Sequence, residues 1–447
     1  MLVGKTHEGK GRNIGMESKV FSQVEGGVTA AKEFYANGVY CGIKQAMKAG
    51  ATVTQASAMT NEPVLEPVKP AKRDVGAIFS TLPCAAAAVY TKNKVKAAPI
   101  LVTQAHLADN KARAIIVNSG NANACNADGM AVANEMCALL AGALSISPDE
   151  VIVASTGVIG VPLPVEVISM GIDHLCAGLS AEGGALAAEA IMTTDTFAKQ
   201  VAVTFEIDGV VCTMGGMAKG SGMIHPNMAT MLGFLTTDCD IIPELLQQAL
   251  SACVEDTFNM VSVDGDTSTN DMACILANGA AGNKQINAKG ASYDVFCAAL
   301  FSVTTALARM IAKDGEGATK LVECTVTGAP NKHAARAAAK SVIGSSLFKA
   351  AMFGKDANWG RILCALGYAD AEFAVDKTDV TLQSASGSVM VCAGGAGVNF
   401  SEEEALAVLS ESEITVLVDL HDGDFSATAW GCDLTYDYVK INGDYRT

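Results

Sequence analysis

The chain has 447 residues, half of them apolar but only 5% aromatic, with a formal net charge of −16. That length allows two or three domains' worth of core. The acidic balance disfavours nucleic acid and anionic membrane surfaces as partners, because like-charge repulsion would have to be overcome.

No apolar run reads as a membrane span of about 20 residues. The most helical one, residues 296–311, is interrupted by Ser302, Thr304, Thr305 and Arg309. The N-terminus has scattered lysines and no apolar h-region, so no secretory signal is read. A cytoplasmic location is expected, with an organelle-targeting piece left open. Residues 49–72 carry Pro63, Pro67 and Pro70 and read as an irregular excursion. Beyond it, β-branched runs alternate with alanine-rich helical stretches. Residues 114–117 and 151–154 read as buried strands and 130–144 as a helix. Residues 201–207 and 210–214 flank Asp208-Gly209, a pair suited to the positive φ angles of a tight hairpin turn. An apolar strand follows Thr230 over 231–235. Pro243 suits the first turn of a helix with Leu246, Leu250, Cys253 and Val254 on one face. Phe296, Leu300, Val303, Leu307, Met310 and Ile311 make a second helical face, ending at Gly315. Ser401 with Glu404 matches a capping box before 405–409. Residues 415–420 and 425–430 around Asp422-Gly423 form a second hairpin candidate. This mixture points to an α+β or layered α/β fold rather than a doubly wound parallel sheet.

The segment Lys219-Gly220-Ser221-Gly222-Met223-Ile224-His225-Pro226-Asn227-Met228-Ala229-Thr230 lies almost at the chain midpoint. On residue types alone it is a loop leading into a core strand, with Thr230 an ordinary β-former. The alternative is a self-cleaving nucleophile. Cutting the Ala229–Thr230 bond would give Thr230 a free α-amine beside its own hydroxyl, with a pKa of about 7.7–8.0. Part of that amine is neutral near pH 7.5 and can serve as the base. Ala229 is small and leaves its carbonyl open, while Gly220 and Gly222 permit a strained approach.

Several blocks stand in one order along the chain. They include Gly26-Gly27-Val28-Thr29-Ala30, Asn118-Ser119-Gly120-Asn121-Ala122-Asn123, Ala154-Ser155-Thr156-Gly157-Val158 and Met192-Thr193-Thr194-Asp195-Thr196. After the midpoint come Val263-Asp264-Gly265-Asp266-Thr267-Ser268-Thr269-Asn270-Asp271, Gly315-Glu316-Gly317 and Asn358-Trp359-Gly360-Arg361. Together with the 215–232 block, they resemble the ornithine acetyltransferases, the bifunctional ArgJ family of arginine biosynthesis. Two stretches depart from that pattern: about 15 residues at the start, and residues 45–73, which look inserted.

The resemblance implies an αββα sandwich like that of N-terminal nucleophile enzymes over about residues 20–320, with a smaller C-terminal α/β domain over 321–447. It implies self-cleavage into an α chain (1–229) and a β chain (230–447), assembled as α2β2. It makes Thr230 the nucleophile and Thr156 with Gly157 the oxyanion hole; read bare, that pair is a tight turn. Lys219, otherwise a solvated lysine, becomes a substrate contact, to a carboxylate. Thr193 becomes a hydroxyl contact, with Thr194 and Thr196 as near alternatives. Glu316, otherwise an exposed helix-terminating turn, becomes a further contact, as do Asn442 and the terminal Thr447. The implied reaction moves acetyl from N-acetylornithine to glutamate, giving ornithine and N-acetylglutamate. No cofactor or metal is required, and acetyl-CoA is a possible second donor.

Three other motifs fall short. Asp264-x-Asp266-x-Ser268 lacks the glycine and distal glutamate of an EF-hand loop. Lys219-Gly220-Ser221 lacks phosphate-loop spacing, and Gly395-Ala396-Gly397 lacks the third glycine of a dinucleotide fingerprint. The 14 cysteines and six histidines show no zinc-ligand spacing, so the cysteines read as reduced small hydrophobes. Two rival functions stand: an amidohydrolase or aminopeptidase using the same nucleophile, and a non-catalytic metabolite-binding protein.

Overall fold

The computed structural model describes residues 21–48, 72–225 and 231–444. The first half contains β1 (Ser22–Val24), β2 (Phe34–Val39), α1 (Ile43–Lys48), β3 (Val75–Tyr90), α2 (Ala98–His106), β4 (Lys111–Asn118), α3 (Gly129–Leu144), β5 (Val151–Ser155), α4 (Val165–Ala177), α5 (Gly184–Ala190), β6 (Lys199–Ile207) and β7 (Val210–Lys219). Next come β8 (Leu232–Thr237), α6 (Pro243–Asp256), β9 (Val261–Ser262), β10 (Met272–Ala277) and α7 (Ala291–Lys313). The last third holds β11 (Leu321–Ala329), α8 (Lys332–Gly344), α9 (Ser346–Gly354), α10 (Trp359–Gly367), β12 (Asp379–Ser384), β13 (Gly387–Ala393), β14 (Ala396–Gly397), α11 (Glu402–Ser410), β15 (Glu413–Asp419), β16 (Phe425–Cys432) and α12 (Tyr436–Gly443).

The long strand β3 organises the first sheet. Its first part pairs with β2 and β4, and its last part pairs with β10. The β3–β4 ladder slips between Phe79 and Cys84, where Pro83 cannot donate a ladder hydrogen bond. The two halves of the sheet thereby stack. Ile78, Ile115, Val117 and Ile152 from one layer share an apolar cluster with Met217, Leu232, Phe234 and Leu276 from the other. Helices α3 and α4 cover the outer face of the β2–β5 layer, where Ile116 and Val153 meet Met136, Leu140 and Ile168. Helices α6 and α7 cover the other outer face, where Val203, Phe205 and Leu235 meet Leu250, Phe296 and Leu307. The layer order is helix, sheet, sheet, helix, and the fold is α+β.

Within the second layer the strands run β6, β7, β8, β10, β3. Strand β8 pairs antiparallel with β7 and parallel with β10. The β6–β7 hairpin turns at Asp208 (φ 49°) and Gly209 (φ 83°), as its sequence indicates.

A seven-stranded second sheet runs β14, β13, β12, β15, β11, β16, β9. Helix α8 packs on one face and α7 on the other, where Arg309 of α7 pairs with Glu323 and Trp430 Nε1 donates to the same carboxylate at 2.8 Å. The hairpin expected around Asp422-Gly423 is not one. Strand β11 lies between β15 and β16, parallel to the first and antiparallel to the second. The Asp422-Gly423 connection instead crosses the end of β11, with Leu420 N and Asp422 N donating to Thr327 O and Gly328 O. Strand β9 also reaches into this sheet from before residue 320, pairing with Trp430 and Gly431.

Helix α7 is longer than its apolar face suggests. Its 23 residues are apolar enough, by length and composition, to cross a membrane. Its position between two sheets accounts for that composition. The 45–73 stretch falls in the connection between the antiparallel neighbours β2 and β3, and 49–71 lie outside the described residues.

Candidate active site

A cleft of about 310 Å³ opens where the two layers of the sandwich meet the α7–β11 turn and α12. It gathers Thr156, Gly157, Thr193, Lys219, Glu316 and Asn442 from five separate parts of the chain. Ala229, Thr230 and Thr447 lie outside the described residues. Met231, the residue after Thr230, lines the cleft and is fixed by Met272 N donating to its carbonyl at 3.0 Å.

Thr156 and Gly157 follow β5. Their turn is held by a platform of buried asparagines. Thr156 N donates to Asn118 O at 3.0 Å, and Val158 N to Gly120 O at 3.3 Å. Asn118 Nδ2 donates to Asn121 O at 2.9 Å, and Asn121 Oδ1 accepts from Asn123 N at 2.7 Å. Asn270 Nδ2 ties the platform to the other layer, donating to Ala122 O at 2.6 Å and Ser155 O at 2.9 Å. Gly157 has φ +137°, and a Cβ there would lie 2.2 Å from the Gly120 carbonyl carbon. A side chain is therefore excluded twice, by conformation and by space. The result is a constrained turn whose Thr156 and Gly157 both line the cleft.

Lys219 ends β7. It is 7% exposed, not a solvated surface lysine, and its Nζ stands 3.9 Å from Asp195 Oδ2. Behind it lies a buried ionic network. Lys199 Nζ donates to Asp195 Oδ1 at 2.7 Å and to Asp314 Oδ2 at 2.5 Å. Burial alone would raise the Asp195 carboxyl, but Lys219 and Lys199 outweigh it and hold the group well below the usual carboxylate range. Asp195 also accepts from Thr193 N at 3.0 Å and Gly220 N at 2.8 Å, which couples the Thr193 loop to the start of the midpoint segment. Thr193 and Thr194 line the cleft. Thr196 turns away and bonds Asp314 through its amide and hydroxyl.

Glu316 is also buried, at 7% exposure, rather than an exposed turn. Its carboxylate packs over Gly222, where a Cβ would come within 2.3 Å of it. Asn442 Nδ2 donates to Glu316 Oε2 at 2.8 Å. Glu316, Asn442 and Lys219 thus all line one cleft, a set of side chains that suits a small zwitterion.

The lead-in to the midpoint bond is clamped. Met223 N and Ile224 N donate to the Asp264 carboxylate at 2.6 and 2.8 Å, and Thr267 Oγ1 donates to His225 O at 2.9 Å. Asp264 therefore caps backbone donors. His225 Nδ1 lies 2.9 Å from Ser262 Oγ, and burial, helped by Lys340, pushes the imidazole down to about 4.

Sequence reasoning missed Lys199, Asp314, Asn270 and Asp271 as contributors. Asn270 and Asp271 sit in a block already noted, but nothing local marks them as facing the cleft. Lys199 had only its i,i+4 spacing from Asp195 as a signal.

The ArgJ family model matches residues 63–447. An arginine biosynthesis bifunctional protein ArgJ from Symbiobacterium thermophilum is 55% identical over 84% of this chain and 93% of its own. One of the same name from Caldanaerobacter subterraneus is 49% identical over 95% of this chain and 99% of its own. Among solved structures, an ArgJ protein from Bacillus halodurans is 46% identical, covering 47% of this chain and 97% of its own, with a TM-score of 0.45. An ornithine acetyltransferase from Mycobacterium tuberculosis, complexed with ornithine, is 38% identical over 47% of this chain and all of its own, with a TM-score of 0.38. Matched over most of its length by the family and by close relatives, the chain belongs to the ArgJ family of bifunctional arginine-biosynthesis enzymes.

Proposed function

We propose that this enzyme moves acetyl from N-acetylornithine to glutamate through an ester on Thr230, after cutting its own Ala229–Thr230 bond. Thr230 Oγ attacks the acetyl carbonyl and ornithine leaves. The amine of glutamate then attacks the ester and departs as N-acetylglutamate. The ester splits one hard amide exchange into two easier steps. Thr156 and Gly157 receive the oxyanion in both halves, a contribution of about 2.7–4 kcal/mol for one such donor. The α-amine of Thr230 takes and returns the hydroxyl proton. Lys219 holds the carboxylate common to both substrates, Thr193 adds a hydroxyl contact, and Glu316 with Asn442 and Thr447 meets the remainder.

The observation that carries this reading is the cleft itself. It collects a constrained Thr-Gly turn, a buried cation and a buried anion around the start of the strand that Thr230 precedes. The chemistry needs no metal or cofactor, and acetyl-CoA is an alternative donor. The α and β chains are proposed to assemble as α2β2 in the cytoplasm, a reducing compartment in keeping with fourteen free cysteines. The test is consumption of N-acetylornithine with and without glutamate, beside an intact mass. Transfer predicts glutamate-dependent turnover and fragments 1–229 and 230–447. Turnover indifferent to glutamate would assign a hydrolase instead, and an uncut inactive chain would refute both.

A further inference from the structure

Asp271 is assigned no role by the acetyl-transfer cycle. It stands at the mouth of β10, is 2% exposed, and lines the cleft. Its backbone is fixed on both sides: Thr91 N donates to its carbonyl at 3.0 Å, and the next residue, Met272, bonds Met231 O at 3.0 Å. Its other neighbour, Asn270, is tied to the carbonyl of Ser155, the residue preceding the oxyanion turn, at 2.9 Å. The carboxyl is thus built into the wall between that turn and the residue following Thr230. Among the described residues, its Oδ2 has no hydrogen-bond partner. A buried acceptor without a partner in the wall of a cleft is costly unless something arrives to fill it.

What arrives follows from the chemistry. Each half-reaction brings in or releases a primary amine at the acyl carbon. In water that amine is an ammonium ion, which cannot attack; at the carbon it must be neutral. We propose that Asp271 is the group that exchanges this proton with the substrate amine, its open oxygen receiving the N–H of the amine entering or leaving the cleft. This rests on the acetyl-transfer reading.

The balance closes. Burial raises the Asp271 carboxyl well above its ordinary value, against the lowering effect of hydrogen bonds from Ser268 and Thr91 and of the nearby Lys219 charge, and Asp271 is taken as the protonated acid in the empty cleft. A substrate ammonium entering the cleft expels that proton to solvent and pairs with the carboxylate. The ammonium then gives Asp271 a proton and becomes a neutral amine. As the amine attacks, the C–N bond forms and the C–O bond to Thr230 breaks. The second N–H proton passes by the Thr230 α-amine to Oγ. One proton has left, the one expelled on entry. In the other half-reaction the departing amine takes the Asp271 proton, leaves as ammonium, and Asp271 recovers a proton from solvent. Lys219 is the charged group acting on Asp271; Glu316 shares the cleft, and Asp195 and Lys199 lie behind Lys219.

The experiment is calorimetric titration of the processed enzyme with ornithine, near neutral pH, in phosphate and in Tris, whose ionisation enthalpies differ. About one proton is released per ornithine bound by the wild type, and its affinity rises up to about tenfold per pH unit across the acidic range. Asp271→Asn, which keeps size and burial, removes most of that release and flattens the slope. Proton-free binding by the wild type would overturn the inference whether or not the variant folds. So would an Asp271→Asn enzyme that releases as much as the wild type. A wild type that binds no ornithine would instead sink the acetyl-transfer reading.

Discussion

Replacing Gly157 by alanine tests most directly the oxyanion role proposed for the Thr156-Gly157 turn. The added Cβ would lie 2.2 Å from the Gly120 carbonyl carbon and 2.4 Å from the Asn121 nitrogen. Both are backbone atoms held by the asparagine platform, so neither can swing aside. Carbon–carbon contact distances of about 3.5 Å require the two loops to part by roughly 1 Å. A displacement of that size at a reacting centre costs on the order of a hundredfold. Full loss of one donor would cost about 2.7–4 kcal/mol, or roughly 10²–10³ in kcat. The positive φ adds about 1–3 kcal/mol of strain to the folded state, against a total stability of about 5–15 kcal/mol, so the variant should remain folded. The assay is kcat and KM for transfer from N-acetylornithine to glutamate, with thermal melts alongside. Gly160→Ala is the control: φ there is +78° but no atom lies within 4 Å of the new Cβ, so it should cost stability and spare kcat. A folded Gly157→Ala enzyme with kcat within about threefold of wild type would refute the role given to the turn.

Thr230→Ala should give a single uncut chain by intact mass and no detectable transfer; fragments 1–229 and 230–447 in that variant would place the nucleophile elsewhere. Lys199→Met removes the cation between Asp195 and Asp314 and should destabilise the protein by about 3–5 kcal/mol, read from the urea midpoint; an unchanged midpoint would mean that the network contributes nothing. Because Asp195 is held below its ordinary range, the folded state binds fewer protons there than the unfolded chain. Its stabilisation is present above about pH 4 and is lost as pH falls through that range and below. Urea midpoints at about pH 6 and pH 3.5 should therefore fall less steeply in Asp195→Asn than in wild type, and parallel falls would exclude Asp195 as a source of acid sensitivity.

Local signals carried much of the fold. The Asp208-Gly209 hairpin, helix α6 opening at Pro243, and the Ser401 cap, whose hydroxyl accepts from Glu404 N at 3.2 Å, all depend on neighbours in sequence. Asp422-Gly423 misled because its flanking strands look like a hairpin, while the strand inserted between them begins almost a hundred residues earlier, at Leu321. No turn motif encodes such an insertion. The same limit governed the site. Glu316 reads as exposed until Gly222 and Asn442 close over it. Lys219 reads as solvated until Asp195 is brought beside it. Asp271 reads as an ordinary member of an acidic, hydroxyl-rich loop, and only the pairing of β10 with β8 and β3 buries it.

The strand order β7, β8, β10, β3 carries a consequence for any molecule severed between residues 229 and 230. The pair that follows the break is stitched on both flanks to strands that precede it, by six residue pairs on either side. Neither piece could peel away without opening the middle of a buried layer. Dilution would not part them, and their dissociation constant would be the unfolding equilibrium under another name.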